Sequence, residues 1–176
     1  MTEYLSEHFT LEELIASDTA KAKKISNKPS TFHKKILKHT CQYLLEPLRK
    51  LLNEKYKEYK KKKVKEVRIR ITSGYRSPKL NAAVGGATTS GHTRGEAVDI
   101  EAIIVFTDGK KEVLPYTELY KDIKGWVKEK KLNVDQCIQE KSGLATWIHA
   151  SLPQQIRDCR RQFLIYEYGM YRLDNN

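Results

Sequence analysis

The stretch Ser90-Gly91-His92-Thr93-Arg94-Gly95-Glu96-Ala97-Val98-Asp99-Ile100-Glu101-Ala102-Ile103-Ile104 decides the reading of this chain. Residues 97–104 read as a β-strand, and the residues before them as a glycine-flanked loop that carries a histidine into it. Gly95 permits the backbone to turn, so that His92 and Asp99, seven residues later and inside the strand, can face one point.

Around this stretch the pattern changes from helix to strand. Thr10-Leu11-Glu12-Glu13 has capping-box spacing and opens a short helix with Leu11, Leu14 and Ile15 on one side. After the turn Asn27-Lys28-Pro29-Ser30, with Ser30 as N-cap, apolar residues recur at helical spacing from Phe32 to Leu52, and Pro47 is expected to kink or divide that helix. Val67, Ile69 and Ile71 alternate with Arg68, Arg70 and Thr72 as a half-buried strand. A short helix starts at Ser77-Pro78 and stops at Gly85-Gly86, and Asp108-Gly109 marks a hairpin turn. A helix over 117–130 buries Leu119, Ile123 and Trp126, and strands follow at 134–140, 146–151 and 163–168. Helices first and strands afterwards predict an α+β fold, with N-terminal helices packed on a central, mainly antiparallel sheet. A single domain over 1–176 is expected, helical in 1–63 and sheet-containing in 64–176.

Composition excludes several classes. Hydrophobic residues make up 39% of the 176, too many for a disordered chain, and no apolar run is long enough to span a bilayer. The first eight residues, Met1-Thr2-Glu3-Tyr4-Leu5-Ser6-Glu7-His8, lack the basic and apolar regions of a signal peptide, so synthesis in a cytoplasm is expected. Cys41, Cys137 and Cys159 are widely spaced and form no CxxC pair, which fits reduced thiols. The net charge of +11 is concentrated: residues 55–70, KYKEYKKKKVKEVRIR, hold 9 basic and 2 acidic side chains, whereas 71–101 hold 3 of each. This run reads as a solvated helix end or loop. Tyr56 and Tyr59 lie in it, but no nucleic-acid-binding motif accompanies them, so no specific nucleic-acid partner is expected.

Of five histidines, His8, His33 and His39 fall in the helical part and read as surface or helix-flank residues. His149 lies in Trp147-Ile148-His149-Ala150-Ser151, a strand in which Trp147, His149 and Ser151 share a face. If that strand pairs with 97–102, His149 joins His92 and Asp99, and two imidazoles with a carboxylate are a donor set that suits zinc with one position open. At these spacings such a trio also occurs without a metal.

The sequence S-G-H-T-R-G-E-A-V-D followed by W-I-H-A-S resembles the SxHxxGxAxD…H signature of zinc D-Ala-D-Ala carboxypeptidases and dipeptidases. That family includes phage endolysins that cut L-alanyl-D-glutamate bonds, and it shares its fold with the hedgehog signalling domain. The lead-in S-G-Y-R-S-P-K-L-N-A-A-V-G-G-A, the N-terminal F-T-L-E-E-L-I-A-S-D-T-A and the later L-E-P-L-R are similar too, so the resemblance spans nearly the whole chain. It implies Zn²⁺ held by His92, Asp99 and His149, and a carboxylate acting as general base. Many members place that acid three residues before the last histidine, where this chain has Thr146. Glu140 is the nearest acid upstream and the expected base, with Asp135 in reserve. Arg76 is expected to hold a substrate carbonyl or developing oxyanion, with a surface ion pair as its alternative. Ser90 either bonds a substrate carboxylate or shapes its loop, and Tyr75 and Trp147 either line the cleft or pack beside it.

The resemblance therefore implies a zinc peptidase that acts on peptidoglycan peptides, as a monomeric phage-type endolysin that reaches the wall after membrane breach. The alternatives are a bacterial D-Ala-D-Ala carboxypeptidase and a non-catalytic zinc-binding module. Lys60, Lys61, Lys62 and Lys63 would draw the protein to anionic envelopes, and residues 106–119 are a candidate rim of the site.

Overall fold

The computed structural model describes residues 2–175; Met1 and Asn176 lie outside them. Helix α1 (Leu11–Ile15) opens with the expected capping box, in which Thr10 Oγ1 accepts from the Glu13 amide and the Glu13 carboxylate accepts from the Thr10 amide at 2.8 Å. Ser17 caps α2 (Asp18–Ala22), and Ser30 caps α3 (Thr31–Thr40), which buries Ile36 and Leu37. The chain then widens into one π-helical turn, Cys41–Leu45, and continues as α4 (Glu46–Lys55). Pro47 sits just past that turn and has no amide hydrogen to donate, so the helix absorbs it by a wide turn rather than by a break. Cys41, Leu44, Leu45, Leu48 and Leu52 stay fully buried through the change.

Strands β1 (Glu58–Tyr59) and β2 (Lys62–Ser73) form a hairpin whose turn residues, Lys60 and Lys61, both have positive φ. The basic run is therefore a hairpin and a long strand, not a helix end or loop. Lysine has little strand preference, but its side chains project into solvent here while Val67 and Ile69 on the opposite face are buried. The connection to β3 (Ala97–Phe106) holds α5 (Pro78–Ala83) and α6 (Gly91–Arg94). A tight turn through Gly109 leads to β4 (Lys111–Val113), then α7 (Tyr116–Lys128). Leu119 and Ile123 of α7 are buried as expected, whereas Trp126 is only half-buried. Strands β5 (Gln136–Ser142), β6 (Ala145–Ser151), β7 (Gln162–Glu167) and β8 (Met170–Leu173) complete the sheet.

The eight strands run β1-β2-β3-β6-β5-β7-β8, with β4 paired to β3. All neighbours are antiparallel except β5 and β7. Even-numbered residues of β3, namely Val98, Ile100, Ala102, Ile104 and Phe106, join the core with residues of α3, α4 and α7. Odd-numbered residues, Asp99 among them, therefore face the other side of the sheet. Residues 106–119 do not rim the cleft that holds Asp99: they form the β4 hairpin and the start of α7, β4 pairs with the far half of β3 at Ile103–Val105, and none of them lines that cleft. Cys41, Cys137 and Cys159 are all free and buried, and burial pushes the Cys41 thiol up to about 12. No helix among the described residues is long and apolar enough to cross a membrane.

Candidate metal centre

His92 is held by a one-turn helix rather than by a loop. Ser90 Oγ accepts from the His92 amide at 3.3 Å, and the turn ends at Gly95 in the left-handed region, φ 78°. Thr40 anchors this corner from α3 by donating its hydroxyl to the Gly95 carbonyl at 2.9 Å. The His92 ring is buried, with Nδ1 2.7 Å from the Gly74 carbonyl oxygen. A carbonyl can only accept, so Nδ1 carries the hydrogen and the Nε2 lone pair faces the sheet. Gly74 must be glycine for the same corner to close, because a Cβ there would lie 2.2 Å from the Leu14 carbonyl oxygen.

Asp99 and His149 are direct partners across the β3–β6 ladder, as the sequence pattern requires. His149 Nδ1 lies 2.9 Å from Asp99 Oδ1, His92 Nε2 lies 3.2 Å from His149 Nδ1, and His92 Nε2 lies 3.2 Å from Asp99 Oδ1. Three donor atoms thus form a small, nearly equilateral triangle. A tetrahedral zinc with bonds of ~2.1 Å would separate its ligand atoms by ~3.4 Å, so the residues fit the ion with little movement. Burial pushes the His92 imidazole below its ordinary value, which keeps it neutral and available as a ligand. Burial alone would raise the Asp99 carboxyl, but its interactions with His92 and His149 outweigh that and hold the group far below the carboxylate range.

Arg76 donates from Nη2 to Asp99 Oδ2 at 2.7 Å and from Nε to Ser73 Oγ at 2.9 Å. Its first role in this geometry is to fix the second oxygen of the Asp99 carboxylate, and two of its five donors are committed to that frame. It is neither a surface ion pair nor aimed wholly at substrate.

Glu140 lines the same cleft, of about 1030 Å³, as His92, Asp99 and His149. On β5 it stands opposite Trp147, and Ile138 stands opposite His149, so Glu140 is the diagonal neighbour of His149 on one face. Diagonal neighbours lie ~7–8 Å apart at Cα, which leaves room for a water between the carboxylate and the donor triangle. Burial, reinforced by the charge of Asp99, pushes the Glu140 carboxyl up to about 7. Asp135 also borders the cleft, but Arg160 grips its carboxylate through Nε and Nη2 at 3.0 and 2.6 Å and through its backbone amide at 2.9 Å. Those bonds hold Asp135 ionised, although burial opposes them. A base must be free to take up a proton, and Glu140 meets that condition better.

Of the remaining expected residues, Ser90 and Trp147 line the cleft, and Ser90 spends its hydroxyl on capping α6. Tyr75 does not line it; the residue is buried against His33, with ring centroids 5.1 Å apart, and borders a smaller neighbouring cavity. Tyr166 and Tyr171 border the cleft without having been expected there. Their strands are short and β8 is exposed along its length, so neither has the alternation that marks a buried face.

The sequence model of the Peptidase M15 family matches residues 7–114, a span that carries Arg76, His92 and Asp99. No curated protein matches the chain. Glu140 and His149 lie beyond the matched span, and it is the β3–β6–β5 pairing that brings them to the matched residues. With a match over more than half its length and a donor triangle suited to a metallopeptidase, the chain belongs to the Peptidase M15 family.

Proposed function

We propose that the protein hydrolyses peptide bonds in bacterial peptidoglycan, as a zinc peptidase of the endolysin type that works on the wall once the membrane is breached. The observation that carries the reaction is the diagonal placement of Glu140 beside the ligand triangle, with its carboxyl raised to about 7. Zinc, when bound, supplies Lewis-acid polarisation of a carbonyl and acidifies the attacking water. Glu140 accepts the proton of that water and returns it to the leaving amine, a task for which a group titrating near neutrality is suited. Arg76 fixes the second oxygen of the Asp99 carboxylate, and His92 is oriented by the Gly74 carbonyl.

Purified protein is expected to hold about one zinc per chain and to release new amino groups from purified peptidoglycan. Bound zinc without turnover would favour a non-catalytic module of the same fold. Identification of the new termini separates cleavage within the stem peptide from removal of a terminal D-alanine.

The basic hairpin supplies the targeting part of the proposal. Lys60 and Lys61 form its tip, and the Thr107 amide donates to the Lys63 carbonyl at 3.2 Å, which brings the neighbouring turn with Lys110 and Lys111 alongside. Strand β2 carries this end roughly 35 Å away from Ser73 and the ligands, at about 3.3 Å per residue. A short peptide in the cleft cannot touch it, whereas an anionic envelope can. Replacement of Lys60, Lys61, Lys62 and Lys63 by Gln is expected to slow lysis of whole envelopes several-fold at low salt, with cleavage of a short soluble peptide unchanged. Equal slowing on both substrates would count against a targeting role.

A further inference from the structure

The strand register places a second set of side chains in line with the ligands. His149 stands opposite Asp99 on one side and Ile138 on the other. One step along the same face, Trp147 stands opposite Glu140, Glu140 opposite Tyr166, and Tyr166 opposite Tyr171. Three aromatic rings and the proposed base therefore form one continuous row across β6, β5, β7 and β8.

These rings do not stabilise the helix-covered core, which lies on the other face and includes none of the three. Tyr166 and Tyr171 pack together with centroids 4.5 Å apart and planes tilted by 39°, yet Tyr171 remains 60% exposed. An apolar amino-acid side chain would call for an enclosed pocket that removes it from water. An open ledge of flat rings instead suits a ligand that is flat and apolar on one face and hydroxylated around its rim, and a pyranose ring has that character.

Reach supports the same ligand. With strands ~4.8 Å apart, Tyr166 lies ~10 Å and Tyr171 ~14 Å across the sheet from the strand of His149. An extended peptide advances ~3.3–3.6 Å per residue, so a peptide bond seated at the ligands places a group about three to four residues away over these rings. In peptidoglycan the stem peptide is attached to an N-acetylhexosamine.

We infer that Tyr166 and Tyr171 form a carbohydrate subsite, which takes the pyranose ring of the sugar that carries the stem peptide. The inference rests on the proposed peptidoglycan substrate, and binding separates the two. Chitotriose, a soluble N-acetylglucosamine trimer, is titrated into the zinc-loaded protein while tryptophan fluorescence and NMR shifts are followed. Saturable binding is expected in wild type, with affinity lowered about tenfold or more in Tyr171→Ala and in Tyr166→Ala and restored in Tyr171→Phe, which keeps the ring. In parallel, the preference of the enzyme for a sugar-linked stem peptide over the same peptide without sugar should fall about tenfold in Tyr171→Ala, through KM rather than kcat. Peptide cleavage by wild type without chitotriose binding would overturn the subsite and leave the peptidase reading intact. An unchanged preference in Tyr171→Ala would overturn it as well. Chitotriose binding that depends on Tyr171, in a protein that cleaves neither substrate, would keep the subsite and overturn the peptidase reading.

Discussion

Glu140→Gln is expected to retain zinc and to lower peptidoglycan hydrolysis by on the order of 10²–10⁴-fold, the usual worth of a general base. The amide keeps the shape of the side chain on β5 but has no basic oxygen for the proton of water. The same change should stabilise the metal-free protein in a pH-dependent way. The folded-state carboxyl titrates at about 7, whereas an unfolded glutamate titrates at ~4.3. Between those values the folded state holds more protons than the unfolded state, so stability falls as pH rises and the full penalty is present above 7. Allowing for partial solvent exposure, the penalty is on the order of 1–2 kcal/mol. The Tm of Glu140→Gln should therefore exceed that of wild type at pH 8 and converge with it at pH 4. Turnover within about threefold of wild type would remove Glu140 from the reaction, and a lower Tm at pH 8 would contradict its desolvated position.

Asp99 and His149 were legible because a half-buried strand alternates, and alternation makes the face of each residue readable without knowledge of the fold. His92 was legible for a different reason: it stands in the S-G-H-T-R-G-E-A-V-D motif, where Gly95 lets the chain turn it toward Asp99. What the sequence left hidden depends on register. The β2–β3 ladder shifts between Ile71 and Ser73, which sets Ser73 opposite Asp99 and brings Arg76 and the Gly74 carbonyl to the ligands. Such a shift has no signature in local composition. The parallel pairing of β7 with β5 hid Tyr166 and Tyr171, because a crossover through residues 152–161 decides which strand the aromatic pair lies beside. The basic run misled for a third reason. Its lysines are exposed on either a helix or a hairpin, so only the positive-φ turn at Lys60 and Lys61 separates the two.

Asp99→Asn should abolish the zinc response of the protein while retaining its chain path. Zinc at about 100 times its dissociation constant stabilises a folded site by ~2.7 kcal/mol. In a chain of this length that is a rise in Tm of roughly 5–10 °C. Asparagine preserves the oxygen of the donor triangle but removes the negative charge that offsets the ion, and affinity should fall by more than the ~100-fold that loss of an outer partner costs. At the same zinc concentration the rise should vanish, and turnover with it. The metal-free variant pays a separate cost, because Arg76 loses its ionised partner in a mostly buried position. Breaking a buried pair from one side costs ~3–5 kcal/mol, and the residual exposure of Arg76 places this pair toward the low end. The sign in pH identifies the source. The Asp99 carboxyl is depressed in the folded state, so the stability that it contributes in wild type is present above the unfolded value of ~3.9 and is lost as pH falls toward the folded one. The difference in metal-free stability between wild type and Asp99→Asn should therefore be constant from pH 6 to 8 and shrink below pH 4. A full zinc-induced rise in Asp99→Asn would place the metal elsewhere, and a stability difference that grows with acidity would show that the folded protein does not hold the Asp99 carboxyl below its unfolded value.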